Sequence, residues 1–256
     1  MRIFIETELE GATGVFSMEM CDRGDPLFEQ AYAELAADIN AAVAGAFEAG
    51  ADEVYVTDGH GDRGLDWSLV DPRAFHADYP TTFAFDAMVL IGNHAQAGAQ
   101  NAFLDHTQSS ATWFRYTVNG RPTGEIGQSA MDAAHHNAPV IFLSGDEAAV
   151  REAHDFLGEI ETVAVKRGIG RNRCVLYDGD DCRRKIKEGV KRAVGAFLAD
   201  PKQFRIYAPA LPAVFELTFT RSDYCDAVLE YARRSERIDA RTIRWVGKDY
   251  TQIYPQ

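Results

Sequence analysis

Three glutamates alternate near the start of the chain, at Glu6, Glu8 and Glu10, and an apolar run precedes them. Residues two apart in a β-strand point to the same side, so the three carboxylates are predicted to share one face, with neighbours about 7 Å apart. Clustered carboxylates repel, and burying them is costly unless a cation or hydrogen-bond donors compensate. Gly11 and Gly14 follow at once, which places the acids at the end of the strand, where α/β proteins bind ligands. The pattern predicts a positively charged partner, and a divalent metal is the simplest candidate.

Imidazoles and a further carboxylate occur at similar places along the chain. His60 and His94 each follow a short apolar strand, His106 stands in the next loop, and Glu125 follows a tight turn. Two imidazoles and three carboxylates at one sheet edge match the ligands that Zn²⁺ or Mn²⁺ bind. Taken singly, each histidine is more often structural than a ligand, and the chain lacks the HExxH, GxSxG and GxGxxG motifs. The joint placement of five candidates at strand ends is what favours a metal site.

The composition excludes some classes of protein. The chain has 256 residues, 46% of them hydrophobic and 25% charged, which is ordinary for a globular protein of one large domain or two small ones. The net charge of −13 argues against nucleic acid or an anionic membrane as a partner, because both need a basic surface. No stretch approaches the about 20 apolar residues of a membrane span, and the first residues predict a strand rather than a signal peptide. Four scattered cysteines without a CxxC motif favour reduced thiols and a cytoplasmic location.

Strands alternate with helices along most of the chain. Besides the first strand, apolar runs predict strands at residues 53–57, 87–92, 112–118, 139–144, 160–166, 213–220 and 242–246. Amphipathic patterns predict helices at 27–49, 124–136, 181–198 and 223–234, and another that follows Asp146 and ends near Leu157. The alternation predicts an α/β fold, a mostly parallel sheet with helices on both faces. We expect an α/β domain with the metal site at residues 1–200 and a small C-terminal α+β subdomain at 201–256, unless the two form one continuous domain.

Five short motifs together resemble those of the zinc D-aminopeptidase family. In chain order they are Glu8-Leu9-Glu10-Gly11-Ala12-Thr13-Gly14, Thr57-Asp58-Gly59-His60, Gly92-Asn93-His94-Ala95, Asp105-His106-Thr107 and Asn119-Gly120-Arg121-Pro122-Thr123-Gly124-Glu125-Ile126-Gly127. Their order and spacing are similar to the family's. The resemblance extends through Ala164-Val165-Lys166 and Gly170-Arg171, and so covers essentially the whole chain.

The resemblance implies a metal-dependent amide hydrolase, an aminopeptidase that acts on short D-aminoacyl peptides or amides. Members of the family carry two zinc ions per subunit at the edge of an α/β domain and assemble into ring-like homo-oligomers. Carried over residue by residue, one ion would be held by Glu10 and His60, the other by His94 and Glu125, and position 8 would bridge the two. Mn²⁺ or Co²⁺ could replace Zn²⁺ at such ligands. Two such ions can polarise a scissile carbonyl and lower the pKa of a water between them.

Other residues near the motifs have open roles. In the family, the residue at the position of His106 is described as a nucleophile. An imidazole beside metals could equally act as a general base or stabilise the oxyanion. Glu6 could anchor the α-ammonium group of the substrate or be a structural carboxylate. Asp58 is expected to hydrogen-bond a ligand histidine. The remaining histidines are assigned no catalytic role: His76, His135, His136 and His154.

One residue departs from the family pattern. The family has an aspartate at the bridging position, where this chain has Glu8. Glutamate carries the same head group on a stem that is one methylene longer, so it can bridge two metals or bind one of them only. The departure could therefore weaken binding of the second metal, or change the preferred metal or the substrate.

Functions of other classes stay open at this point. The chain could be a non-catalytic α/β protein that binds a small cationic or peptide ligand at a degenerate metal site, or an amidase on substrates other than D-aminoacyl compounds. A phosphoesterase with two metals ranks lower, because the sequence shows no Arg/Lys clamp for phosphate. His106 separates an enzyme from a binding protein, since binding needs no isolated imidazole beside the metals.

Overall fold

A seven-stranded sheet forms the centre of the molecule. The computed structural model describes residues 1–60, 64–78 and 83–255. The strands are β1 (Arg2–Thr7), β2 (Glu53–Asp58), β3 (Phe75–His76), β4 (Ala87–Asn93), β5 (Trp113–Val118), β6 (Arg121–Pro122), β7 (Val140–Asp146), β8 (Glu161–Gly170), β9 (Arg173–Leu176), β10 (Ala213–Phe219), β11 (Glu236–Arg237) and β12 (Thr242–Gly247). The central sheet has the order β3-β2-β1-β4-β7-β8-β9, and its pairs are parallel except for β8 with β9.

Helices cover both faces of this sheet. The α-helices are α1 (Phe28–Glu48), α2 (Glu125–His135), α3 (Glu147–Leu157), α4 (Gly179–Ala199) and α5 (Ser222–Leu229). On one face, α1 packs against α4, and Ile3 and Ile5 of β1 belong to that core. On the other face lie α2 and α3, in the core to which Phe4 belongs. Because alternate residues of β1 enter opposite layers, the central strands are buried on both sides and their sequences are almost continuously apolar.

A smaller antiparallel sheet has the order β11-β12-β10-β5-β6. Its inner face carries Tyr116, Phe215 and Trp245, whose ring centroids lie 5.4–6.2 Å apart. These rings share a core with α2 and α3, and α5 packs against β10 and β11. The strands of residues 201–256 thus complete a sheet that β5 and β6 begin. The division of the chain at residue 200 stays a prediction.

The structure confirms the predicted α/β class, with a mostly parallel sheet, helices on both faces and a small α+β part. Several elements differ from the prediction, and the short strands β3, β9 and β11 have no predicted counterpart. The helix predicted at 223–234 ends at Leu229, beyond which the chain offers few apolar residues that could pack. The strand predicted at 160–166 continues to Gly170 and forms a hairpin with β9, which lies largely exposed at the sheet edge and so shows no clear apolar pattern. No helix in the described ranges combines the length and the apolar character that crossing a membrane requires.

Candidate metal centre

Two of the three N-terminal glutamates lie just beyond the first strand rather than within it. β1 ends at Thr7, so Glu6 lies in the strand, whereas Glu8 and Glu10 lie in the turn that follows. The predicted arrangement on a single strand face is therefore wrong. The turn, rather than the strand repeat, brings Glu8 and Glu10 to the same buried place.

Two glycines let this turn cross closely over the end of β4. The N–H of Glu8 donates to the carbonyl of Ile91, and the N–H of Gly11 to the carbonyl of Gly92, both at 2.8 Å. Gly92 has a φ of +78°, and a Cβ there would lie 2.0 Å from the carbonyl oxygen of Glu8. A Cβ on Gly11 would lie 2.0 Å from the carbonyl oxygen of Asn93. A side chain at either glycine would displace the turn.

A buried lysine of β8 fixes the same turn. The ammonium of Lys166 donates to the backbone carbonyls of Glu10 at 2.7 Å and Val15 at 2.6 Å. Its Nζ also lies 5.1 Å from the centroid of the Phe103 ring, a favourable cation–π position. Burial lowers the pKa of Lys166 to about 8, which keeps the group mostly charged at neutral pH. Charge-assisted hydrogen bonds from one ammonium therefore hold the backbone of the turn.

His60 and Glu10 form one half of the cluster. The Nε2 of His60 lies 3.0 Å from Oε1 of Glu10, and the hydroxyl of Tyr32 lies 3.3 Å from its Nδ1. Asp58 accepts a hydrogen bond from the backbone N–H of His60 at 3.0 Å, so it supports the turn that carries this ring. The His60 side chain is 20% exposed. This half borders an open cleft of about 450 Å³.

His94 and Glu125 form the other half, which is more deeply buried. His94 follows β4 directly and Glu125 is the first residue of α2. The Nε2 of His94 lies 3.5 Å from Oε1 of Glu125, while its Nδ1 is 3.1 Å from the carbonyl of Ala95. The backbone N–H of Gln108 donates to Oε1 of Glu125 at 2.6 Å and fixes the carboxylate. The His94 side chain is only 1% exposed.

His106 stands between the two halves. Its Nε2 lies 4.0 Å from Oε1 of Glu10 and 3.8 Å from Oε1 of Glu125. The ring stacks on His94 with centroids 3.9 Å apart. Its Nδ1 donates to the carbonyl of Leu104 at 2.7 Å, which leaves Nε2 as the acceptor of the neutral ring. Burial, and then the neighbouring His94, lowers the pKa of His106, so the neutral form is favoured.

Carboxylates outnumber the positive charges near them. Burial acts against the ionised forms of Glu10 and Glu125, but nearby histidines outweigh it. His60 is the main cause that holds the pKa of Glu10 well below its usual range, and His94 is the main cause that lowers the pKa of Glu125 to about 2. Burial also opposes the charge on His94, yet Glu125 raises its pKa to about 10. Glu8 lacks such compensation, because burial, then Glu125 and Glu10, raise its pKa well above the usual range. A bound cation would relieve this imbalance.

The donor atoms suit a divalent transition metal. Ligand atoms of Glu8, Glu10 and His94 lie within 4.8 Å of one another, and so do those of His94, His106 and Glu125. Within the described residues, Nε2 of His94 and Oε2 of Glu10 are buried without a hydrogen-bond partner, as expected of metal ligands. Imidazole nitrogens and carboxylate oxygens are the donors that Zn²⁺, Mn²⁺ and Co²⁺ accept. All six residues predicted for the site lie in this cluster or in contact with it.

The other four histidines occupy different surroundings. His76 stacks on Trp67 with centroids 3.8 Å apart, and His154 hydrogen-bonds the backbone carbonyl just after α3. His135 and His136 lie at the C-terminal end of α2. Among the described residues, none of the four belongs to a group that could hold a metal.

Cavities border the cluster on two sides. The cleft of about 450 Å³ is lined by Glu10, His60 and His106. A second cleft of about 560 Å³ shares His106 and Arg171 with it. A smaller chamber of about 150 Å³ lies on the side of Glu8. The cluster is thus reached from open space on one side and faces a confined space on the other.

Comparisons with known proteins identify the family. The whole chain, residues 1–256, matches the model of the D-aminopeptidase family. The chain belongs to the D-aminopeptidase family. This membership confirms the resemblance carried by the motifs and, with it, the predicted class of enzyme, a hydrolase of the aminopeptidase type.

A known protein and a solved structure are similar to this D-aminopeptidase family member. A D-aminopeptidase of Bacillus subtilis (strain 168) is 26% identical over 182 residues, a segment that spans 67% of this chain and 66% of that protein. A solved structure, the Zn-dependent D-aminopeptidase DppA from Bacillus subtilis, a self-compartmentalizing protease, is 22% identical and has a TM-score of 0.90. That match covers 99% of this chain and 94% of the other, so the two share a fold.

Sequence reasoning missed three residues that support the centre of this family member. Tyr32 and Gln108 contact His60 and Glu125, but no local pattern marks them, because their contacts depend on how distant elements pack. Lys166 did carry a signal: a lysine that directly follows the apolar residues 163–165 of a predicted strand. A charged residue at such a place is seldom buried without partners.

Proposed function

We propose that this chain is a metal-dependent aminopeptidase that removes the first residue of short D-aminoacyl peptides or amides. The observation that carries the proposal is the position of the His106 Nε2 acceptor, within about 4 Å of carboxylate oxygens of both Glu10 and Glu125. Glu8, His60 and His94 complete the cluster to which these carboxylates belong. A binding protein could use the acids and the two other histidines, but an imidazole whose free nitrogen points at the same place is what hydrolysis requires.

We assign the metal ligands as two pairs joined by one carboxylate. Glu10 and His60 would hold one Zn²⁺, and His94 and Glu125 the other, with Glu8 between them. The pairing agrees with the distances within each half and with the grouping of Glu8 beside both Glu10 and His94. A pair of such ions, when bound, polarises the scissile carbonyl and lowers the pKa of a water molecule. Mn²⁺ or Co²⁺ would be accepted by the same donors.

We assign His106 as the general base. The carbonyl of Leu104 holds the proton on Nδ1, so Nε2 is free to take a proton from the attacking water and to pass it to the leaving amine. Stacking on His94 keeps the ring in this orientation. The same Nε2 could attack the carbonyl carbon directly, which would leave an acyl group on the ring. Mass spectrometry of the protein quenched during turnover separates the two, because only direct attack adds the mass of the acyl group.

The deciding experiment combines metal analysis with a substrate panel. Purified protein should contain close to two equivalents of metal by elemental analysis and should hydrolyse D-aminoacyl amides in preference to the L-forms. His106→Ala should keep the metal and lower kcat by about 100-fold or more, the usual scale for an acid–base group. His76→Ala is the matched control, because His76 stacks on Trp67 outside the cluster. It should leave the metal content and kcat unchanged. Full activity in His106→Ala, or no metal in the wild type, would contradict the assignment.

We further propose that the chain acts as a closed homo-oligomer in the cytoplasm, with short peptides as substrates. The solved relative is described as self-compartmentalizing. Val214 and Val246 pair on the outer face of the small sheet and are 36% and 55% exposed, which offers apolar surface for a neighbouring copy. The four cysteines, all within the described residues, form no disulfide, which agrees with a reducing location. Light scattering that gave a monomer throughout the micromolar range would contradict the assembly.

A further inference from the structure

We infer that the chamber beside Glu8 is the subsite that binds the α-ammonium group of the substrate, with Glu6 as its charge partner. This inference rests on the proposed function, since it assigns a part of the same site. The chamber holds about 150 Å³, against about 450 Å³ for the neighbouring cleft. Its walls include Glu6, Glu8, Gln108, Glu125, Ser129 and Tyr254.

Glu6 is a buried carboxylate with one unsatisfied oxygen. It is 9% exposed, and its Oε1 accepts a hydrogen bond from the Ser129 hydroxyl at 3.0 Å. Its Oε2 has no hydrogen-bond partner among the described residues. A buried carboxylate oxygen without a donor is costly, and a ligand that brings both a positive charge and N–H groups removes that cost.

The position of the chamber selects the amino end of a substrate. Two of the proposed metal ligands, Glu8 and Glu125, form part of its wall, so the chamber adjoins the place where the substrate carbonyl would be held. Gln108 lines both the chamber and the open cleft, and so marks the boundary between them. A substrate that spans this boundary places its amino terminus in the chamber and its leaving group in the cleft.

The size of the chamber accounts for removal of a single residue. The chamber has about a third of the volume of the neighbouring cleft, which favours a small group such as an ammonium-bearing Cα with a short side chain. A longer peptide chain on that side of the scissile bond is expected to bind less well. Cleavage after the first residue therefore follows from the walls of this space, and small first residues are expected to be preferred.

The test measures binding to the metal-loaded protein with two probes that differ in one group. Alanine carries the α-ammonium group, and lactate has a hydroxyl group in its place; both are used as D- and L-forms in calorimetry. Wild type should bind the better alanine enantiomer more tightly than the matching lactate. Glu6→Gln, which keeps the shape and removes the charge, should weaken alanine binding by about tenfold or more, as expected for a lost charged hydrogen bond, and leave lactate unchanged. Its metal content should stay at the wild-type value.

Asp132→Asn is the matched control. Asp132 is also a buried carboxylate of this region with an oxygen that lacks a partner among the described residues, but it does not line the chamber. Its replacement should change alanine affinity by less than about threefold, because Asp132 does not form part of the chamber wall. Equal affinities for alanine and lactate in the wild type, or unchanged alanine affinity in a folded and metal-loaded Glu6→Gln, would overturn the inference.

Failure of the inference and failure of the proposed function give different results. If wild type hydrolyses aminoacyl amides but Glu6→Gln still distinguishes alanine from lactate, only the subsite assignment is wrong. If wild type hydrolyses none of the amides, the proposed function is wrong, and the two probes still report whether Glu6 binds an ammonium group. Should Glu6→Gln not fold, the wild-type comparison of alanine with lactate decides alone.

Discussion

The two halves of the metal centre are built by different means. His94 follows a central strand, Glu125 opens a helix, and the His94 side chain is 1% exposed. His60 stands on a turn beyond β2, its side chain is 20% exposed, and the hydroxyl of Tyr32 lies beside its ring. Regular elements thus position one half, while individual side-chain contacts in a turn position the other.

The difference shows that burial and access are divided between the two proposed metal positions. The buried half can fix the position of its ion, because strand and helix leave its ligands little freedom. The exposed half borders the open cleft and so meets the substrate first. Removing a ligand from the buried half also leaves its partner charge uncompensated, which costs more than the same loss near solvent. Substitutions should therefore have unequal effects on the two sides.

His94→Gln is expected to have the largest effect. It removes the imidazole from the buried half and leaves Glu125 without its main positive neighbour. Glutamine keeps most of the volume, so the fold should survive. Metal content should fall by at least one equivalent and kcat/KM by about 10³-fold, more than the about 10–100-fold loss typical of outer partners of a metal site. Elemental analysis and circular dichroism of the same sample check this, and a fully loaded, active His94→Gln would show that this half holds no metal.

His60→Ala should have a smaller effect of the same kind. The ring lies near solvent, and water can take its place beside Glu10, so one ion should weaken while the other stays. We expect about 100-fold lower kcat/KM and partial recovery at high metal concentration, since the lost affinity can be offset by mass action. Equal metal loss in His60→Ala and His94→Gln would contradict the contrast between the halves.

Lys166→Met tests whether the turn itself must be held. The change removes two charge-assisted hydrogen bonds to the carbonyls of Glu10 and Val15 while keeping an apolar stem of similar length. We expect metal affinity to fall by about 10–100-fold and the free energy of unfolding by about 2–4 kcal/mol. Arg167→Met, at the exposed neighbouring position, is the control and should change neither. Unaltered metal affinity in a destabilised Lys166→Met would mean that the lysine serves stability alone.

Glu8→Asp should have the smallest effect. It introduces the aspartate that the resemblance implies at this position, keeps the head group and shortens the stem, so the protein should fold and bind metal. Activity or metal preference should shift by about tenfold, or about 1.4 kcal/mol in the barrier. The measurement is kcat/KM of both forms with Zn²⁺, Mn²⁺ and Co²⁺ over a set of aminoacyl amides. Identical profiles would show that position 8 does not set the distance between the metals.

The central sheet and the convergence of the candidate site residues could be predicted from the sequence for one physical reason. Buried parallel strands are apolar along their length, and parallel strands end at a common edge, so the polar residues after them converge. Local patterns do not report contacts between distant residues. The bond from Lys166 to the turn at Glu10 joins positions 156 apart, and the chamber beside Glu6 exists only once α2 packs over β1. The exact end of β1 was also beyond the pattern, because alternation continues past Thr7 although the strand does not.

The crossing of the N-terminal turn over β4 has a consequence for how genetic data on this protein would be interpreted. Gly11 and Gly92 carry no functional group, yet even a methyl group at either one would meet a backbone carbonyl at 2.0 Å. In a deep mutational scan for activity, nearly every substitution at these two positions should score as poorly as the loss of a ligand. Such a map, interpreted without the structure, would count them among the residues that perform the reaction. Their intolerance instead reflects the space between two chain segments.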